Sequence, residues 1–125
     1  NEKEKSYSCI CICDPPVPTG SSICDVVSAM EDVELKQQTP IRVSHRRSDL
    51  VRSRTLREIK VSVIPGTRGR CVYVDLRAES GTYIKEFCHG DDGRTKPSLG
   101  DLLGNGTKCD IIQLDVTKVD AVGFE

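Results

Sequence analysis

The sequence predicts a small, mostly β domain, built as a disulfide-stapled OB-like barrel or twisted sheet with one short helix. Three observations carry that expectation. Several stretches alternate apolar and polar residues with the two-residue period of a half-buried strand. Seven cysteines occur in 125 residues. The apolar content is thin, at 37% hydrophobic and 4% aromatic with no tryptophan, so cross-links are a natural supplement to the core.

The elements follow in chain order. Residues 1–8, "NEKEKSYS", read as a flexible, charged lead-in. They lack a signal-peptide core, so a secretion signal would already have been removed. A single domain is expected over 9–117, with 118–125 as a tail. Pro15, Pro16, Pro18 and Gly20 form a turn that continues neither strand nor helix. "ICDVVSAM" alternates weakly, "TPIRVSH" reads as a short strand, and "RRSDLVRSR" reads as a polar loop or ragged edge strand. In "REIKVSVI", Ile59, Val61 and Val63 share one face. "CVYVDLRA" places Val72, Val74, Leu76 and Ala78 together, and "ESG" turns into "TYIKEFC", so residues 71–88 predict a hairpin. "SLGDLLG" predicts a two-turn helix capped by Ser98, with Asp101 in its first turn and Gly104 as its terminator. "DIIQLDVT" reads as the last strand. No run of eighteen apolar residues occurs, so no membrane span is expected.

The cysteines cluster at the start: Cys9, Cys11 and Cys13 alternate with Ile10 and Ile12, and Cys24 follows the proline turn. On an extended segment the first three point to one side and are poorly placed to pair with each other. Cys71, Cys88 and Cys109 lie downstream. Six pairing cysteines allow fifteen connectivities, and the pattern does not choose among them. A front-to-back pairing would contribute about 4 kcal/mol against the unfolded chain. Zinc ribbons space their ligands CxxC or wider, so CxC without a second close pair argues against a metal site, and no cofactor is expected. The usage favours a secreted, extracellular protein. The sequon Asn105-Gly106-Thr107 in a Gly-rich loop would then be a glycosylation site.

The segment "CICDPPVPTGSSICDVVSAM" resembles the opening of the netrin-like module, most closely its tissue-inhibitor-of-metalloproteinases branch. The resemblance spans residues 9–109 by cysteine order. It implies pairs Cys11–Cys71, Cys13–Cys88 and Cys24–Cys109, a five-stranded OB-like barrel, and binding of an extracellular protein such as a receptor or protease. Inhibition in that family uses the amino group of the first cysteine. The residues ahead of Cys9 make simple protein binding the closer analogy. Cys9 is left over, as a free thiol able to link two chains. "LREIKVSVIPGTRGRCVYVDLRAESGTYIKEFC" resembles, in second place, the middle of a chemokine, which implies a cytokine-like ligand acting on a receptor.

Residues 42–57 carry six arginines and a histidine against one acid, Asp49. Arg42, His45, Arg46, Arg47, Arg52, Arg54 and Arg57 are therefore candidates for an anionic partner, read here as heparan sulfate or an acidic receptor surface. With three tyrosines and two phenylalanines in all, base stacking is poorly provided for, and no nucleic acid is expected. His45 and His89 are not joined by any local motif, and no GxSxG, HExxH or phosphate loop is present, so a non-enzymatic binding protein is expected.

Overall fold

The computed structural model describes residues 4–120, with side chains described through Thr117. Among the described residues six strands form one antiparallel sheet: β1 (Glu4–Asp14), β2 (Glu31–Gln38), β3 (Val51–Val63), β4 (Cys71–Glu79), β5 (Thr95–Lys96) and β6 (Lys108–Asp120). Their spatial order is β5-β2-β3-β4-β1-β6. Three short helices accompany the sheet: α1 (Ile23–Ser28), α2 (Ile84–His89) and α3 (Leu99–Leu103). A 3-10 turn runs from Ile41 to Arg46. The mostly β expectation holds. The closed barrel does not, because the short β5 and the long β6 occupy opposite edges without pairing. No helix among the described residues is long and apolar enough to cross a membrane.

Strand alternation builds the core. Tyr7, Cys9, Cys11 and Cys13 of β1 and Val72, Val74, Leu76 and Ala78 of β4 are all buried on one face. In β3 the register shifts between Leu56 and Glu58, so Leu56 and Ile59 both face the core despite their three-residue spacing. Val27 of α1, Ile84 and Phe87 of α2, and Leu99 and Leu103 of α3 cover this face. Most of the favourable free energy of folding comes from this burial, at about 25 cal/mol per Å² of apolar surface.

Several local readings change. "TYIKEFC" is helical from Ile84, because Ile84, Phe87 and Cys88 lie at i, i+3 and i+4 and bury together. The helix stops at Gly90, whose φ of 84° a residue with a side chain rarely adopts. "ICDVVS" is α1 rather than strand, and "IRVSHR" is the 3-10 turn rather than strand. The charged stretch "VRSR" opens β3. The α3 helix has the capping expected of it: the Ser98 hydroxyl accepts from the Asp101 N–H, and the Asp101 carboxylate accepts from the Ser98 N–H. Strand β1 begins at Glu4, inside the expected lead-in, and β6 runs on to Asp120, into the expected tail. Residues 121–125 of that tail lie outside the described residues.

All seven cysteines are unbonded, which corrects the staple scheme. Register is the reason. Cys11 lies opposite Val72, while Cys71 lies opposite Ile12, so Cys11 and Cys71 belong to opposite faces of the sheet. Cys13 lies opposite Cys109 on β6, not beside Cys88, and their Sγ atoms are 3.9 Å apart, well beyond a bond of about 2.05 Å. Cys109 is thus committed to Cys13, and Cys24 stays half-buried on α1. Cys9 is also in the core, 1% exposed, so the expected link between two chains is not available to it. The fold is held by apolar burial and the sheet, not by cross-links.

Candidate functional site

One end of the sheet carries a cleft of about 390 Å³ lined by Gln37, Thr39, Arg46, Arg47, Ser48, Leu50, Arg52, Arg54, Gly81 and Tyr83. Its floor depends on Gln37, the next-to-last residue of β2 and 2% exposed. The Gln37 amide donates to the Tyr83 carbonyl at 2.9 Å and accepts from the Tyr83 N–H at 2.9 Å. It also donates to the Thr95 hydroxyl at 3.3 Å. A buried amide with its groups satisfied this way holds position rigidly.

The loop between β2 and β3 forms the rim. The Thr39 N–H donates to the Leu50 carbonyl at 2.8 Å, and the Leu50 N–H donates to the Thr39 hydroxyl at 2.9 Å. Arg94 clamps the same loop, donating to the Thr39 carbonyl through Nε and Nη2 and to Asp49 at 2.9 Å. The Asp91 carboxylate accepts from the Ile41 N–H at 3.0 Å, which anchors the 3-10 turn. These contacts deliver Arg46 and Arg47 to the cleft mouth.

The arginines of the chain divide by their partners. Arg42 donates from Nε to Glu86 at 2.7 Å, and its guanidinium lies 5.8 Å from the centre of the Tyr83 ring. The hydrogen bond to Glu86 holds Arg42 in its charged form beyond its ordinary tendency. Arg57 pairs with Glu4 and Asp32, and Arg77 with Glu4 and Glu58. Arg94 pairs with Asp49 and Asp91. Arg46, Arg47, Arg52 and Arg54 form no ion pair among the described residues, and all four line the cleft. Of the expected strip, these four come together. Arg42 and Arg57 instead serve structural pairs, and His45 is exposed in the 3-10 turn outside the lining.

Arg54 has a constrained setting. Its Nη1 donates to the Ser53 carbonyl at 3.0 Å, while its Nε is buried with no partner. Gly81, at φ 90°, lies against the guanidinium: a Cβ there would stand 3.2 Å from Nη2 and 3.3 Å from Nε. Only glycine combines that backbone with so close an approach. Sequence reasoning misses Gln37, Gly81 and Tyr83. The "SGTY" stretch reads as a hairpin turn, and nothing in the strand pattern of β2 marks Gln37 as buried. The one available signal is Tyr83, an aromatic beside a glycine turn in a chain poor in aromatics.

The Pus10 C-terminal family model matches residues 1–120. The chain belongs to this family. The tRNA pseudouridine synthase Pus10 of Mus musculus is 44% identical over 91 residues, which cover 73% of this chain and 16% of that protein. The Homo sapiens protein of the same name is 36% identical over 119 residues, 95% of this chain and 21% of its own. That of Archaeoglobus fulgidus is 45% identical over 96 residues, 75% of this chain and 26% of its own. The chain therefore spans only about a sixth to a quarter of the length of these Pus10 proteins. A chain in the crystal structure of a Cbf5-Nop10-Gar1 complex superposes with a TM-score of 0.64 and 25% identity, over 93% of this chain and 30% of that chain.

Membership in the Pus10 C-terminal family overturns the netrin-like and chemokine-like resemblances. Those rested on cysteine order, and the cysteines are core residues here rather than staples. The reading as a secreted, non-enzymatic binding protein or cytokine-like ligand falls with them, since the relatives are named as tRNA pseudouridine synthases. So do the extracellular partners, heparan sulfate and the exclusion of nucleic acid. Asn105 is exposed in the turn after α3, at φ 59°, but the secreted setting its glycan assumed is gone.

Proposed function

We propose that this chain is the C-terminal part of a tRNA pseudouridine synthase, and that the cleft around Tyr83 grips the RNA substrate. The observation that carries this reading is the gathering of four arginines without acidic partners in one cleft that Tyr83 also lines. Unpaired guanidiniums suit phosphate oxygens, which they meet with two parallel hydrogen bonds. An aromatic ring beside them suits an unstacked base. Forming pseudouridine detaches the base at N1 and rejoins it to the ribose through C5, so the base must leave its stack to be reached. A platform for an extruded base among phosphate-binding arginines fits that requirement.

Among the described residues, the lining of the cleft carries no carboxylate or imidazole. We therefore assign it binding and orientation: arginines for the backbone, Tyr83 for a base, Gln37 as the brace behind Tyr83. The net charge of −1 is no obstacle, because four of the arginines without carboxylate partners are concentrated in this one cleft.

The test is tRNA binding by the full-length polypeptide over a range of salt concentrations. Each arginine–phosphate pair that is removed should reduce the slope of log K against log salt by about 0.7 for single strands. Replacing Arg46, Arg47, Arg52 and Arg54 together by alanine should reduce it by about 3. An unchanged slope in that variant, or no tRNA binding by the unaltered protein, overturns the reading.

A further inference from the structure

We propose that Cys9, Cys11 and Cys88 form a binding site for one thiophilic d10 metal ion, Zn²⁺ or Cu⁺. Cys9 and Cys11 sit two apart on β1 and face the same side; Cys88 comes from the last turn of α2 and meets them. The three sulfurs all lie within 4.8 Å of one another. Thiolates about 2.3 Å from a shared ion stand about 4 Å apart, so modest side-chain rotation closes the set. Each of the three residues is at most 1% exposed.

Simple packing explains a buried cysteine as a small apolar residue. It does not explain why sulfurs from two separate elements converge here, while the β4 positions opposite Cys9 and Cys11 are Val74 and Val72. None of the three is in a disulfide, so all three sulfurs are free to ligate. A cavity of about 490 Å³, bordered by His89, Lys96, Ser98 and Lys108, abuts Cys88, which is itself 1% exposed. Soft thiolate ligands select Cu⁺ and Zn²⁺ over the hard, oxygen-seeking cations. Three ligands alone satisfy Cu⁺; Zn²⁺ would take its usual fourth ligand as a water or small anion from the cavity side. Binding releases the three thiol protons into solvent, so the thiolate site carries a net charge of −1 with Zn²⁺ and −2 with Cu⁺.

The site would cross-brace β1 and α2, and α2 starts one residue after Tyr83. It stands apart from the RNA reading and does not depend on it.

The experiment uses the reduced, metal-free, full-length polypeptide under anaerobic conditions. One equivalent of Cd²⁺, as a spectroscopic stand-in, should produce a sulfur-to-cadmium charge-transfer band in the ultraviolet. Separate arms with Zn²⁺ and Cu⁺, read by native mass spectrometry, decide which ion is retained, and retention of either at one per chain supports the site. C88V keeps an apolar residue of similar size in place; it should retain the far-ultraviolet circular dichroism and lose both the band and the retained ion. The double variant C24S/C71S should keep them. Absence of the band, or an equal band in C88V, overturns the proposal.

Discussion

Gln37 holds Tyr83 by both ends of its side-chain amide, as a neighbouring strand would hold it. The carbamoyl nitrogen donates to the Tyr83 carbonyl and the carbamoyl oxygen accepts the Tyr83 N–H, each at 2.9 Å. This joins the end of β2 to the start of α2, 46 residues later in the chain. The aromatic wall of the cleft is thereby fixed by a residue outside its own segment.

Replacing Gln37 by alanine leaves the part-buried Tyr83 N–H without its partner, at a cost of about 1–3 kcal/mol, while the Tyr83 carbonyl still accepts from the Phe87 N–H at 3.0 Å. We expect a lower thermal midpoint, with tRNA affinity falling by more than stability alone predicts, because Tyr83 loses its brace. The conservative Gln37→Glu should restore only part of both, since a carboxylate can accept the Tyr83 N–H but cannot donate to the Tyr83 carbonyl. Chemical denaturation beside a binding titration reads both effects.

Gly81→Ala brings strain from two sources. The backbone at φ 90° disfavours a side chain, and the new methyl presses on Arg54 at 3.2 Å. The backbone part alone should cost about 1–2 kcal/mol. The displaced Arg54 should lower tRNA affinity, whereas Gly66→Ala, with open space around its Cβ, should leave affinity unchanged. Equal affinity for the two variants would show that Arg54 takes no part in binding.

Glu86 is 2% exposed and is compensated by Arg42, whose side chain is 54% exposed. Removing Arg42 leaves a buried carboxylate without its partner, which should cost about 1–3 kcal/mol. Glu86→Gln removes the charge and keeps the shape, and the double variant should be less damaging than the sum of the two. A double-mutant cycle by denaturant unfolding measures this coupling.

Glu4 gives a pH signature. Burial works against its ionised form, but hydrogen bonds from Arg77 and then Arg57 outweigh that and hold its carboxyl below the ordinary 4.5. A carboxyl depressed in the folded state stabilises above 4.5, and the contribution disappears as pH falls through the folded value. Thermal midpoints of the unaltered protein and Glu4→Gln should therefore differ near neutrality and converge in acid below 4.5. A gap that persists in acid would mean that Glu4 acts through packing.

What could be read in advance follows from the range of the forces involved. The alternation of Val72, Val74, Leu76 and Ala78 is a nearest-neighbour pattern, and β4 has the face it implies. The Ser98 and Asp101 cap is an interaction across three residues, equally visible in the letters. The α2 helix escapes the letters because Thr82–Cys88 also satisfies a strand template, and only burial of Ile84, Phe87 and Cys88 together selects the helix. For the arginines, composition marks the segment 42–57, but no local rule separates Arg57, tied to Glu4, from Arg54, set against Gly81.

The sequence by itself determined a β-rich domain, the apolar face of β4 and much of that of β3, the capped α3 helix and a concentration of arginine. Those depend on backbone period, caps and charge, which are properties of short segments. Tertiary structure decided the rest. Strand register turned the cysteines inward and apart from the partners their order suggested, because a one-residue offset places Cys11 and Cys71 on opposite faces. Chain crossings then decided which arginines of the segment 42–57 met carboxylates and which were left free in the cleft with Tyr83, since Glu86 and Glu4 lie 44 and 53 residues from Arg42 and Arg57.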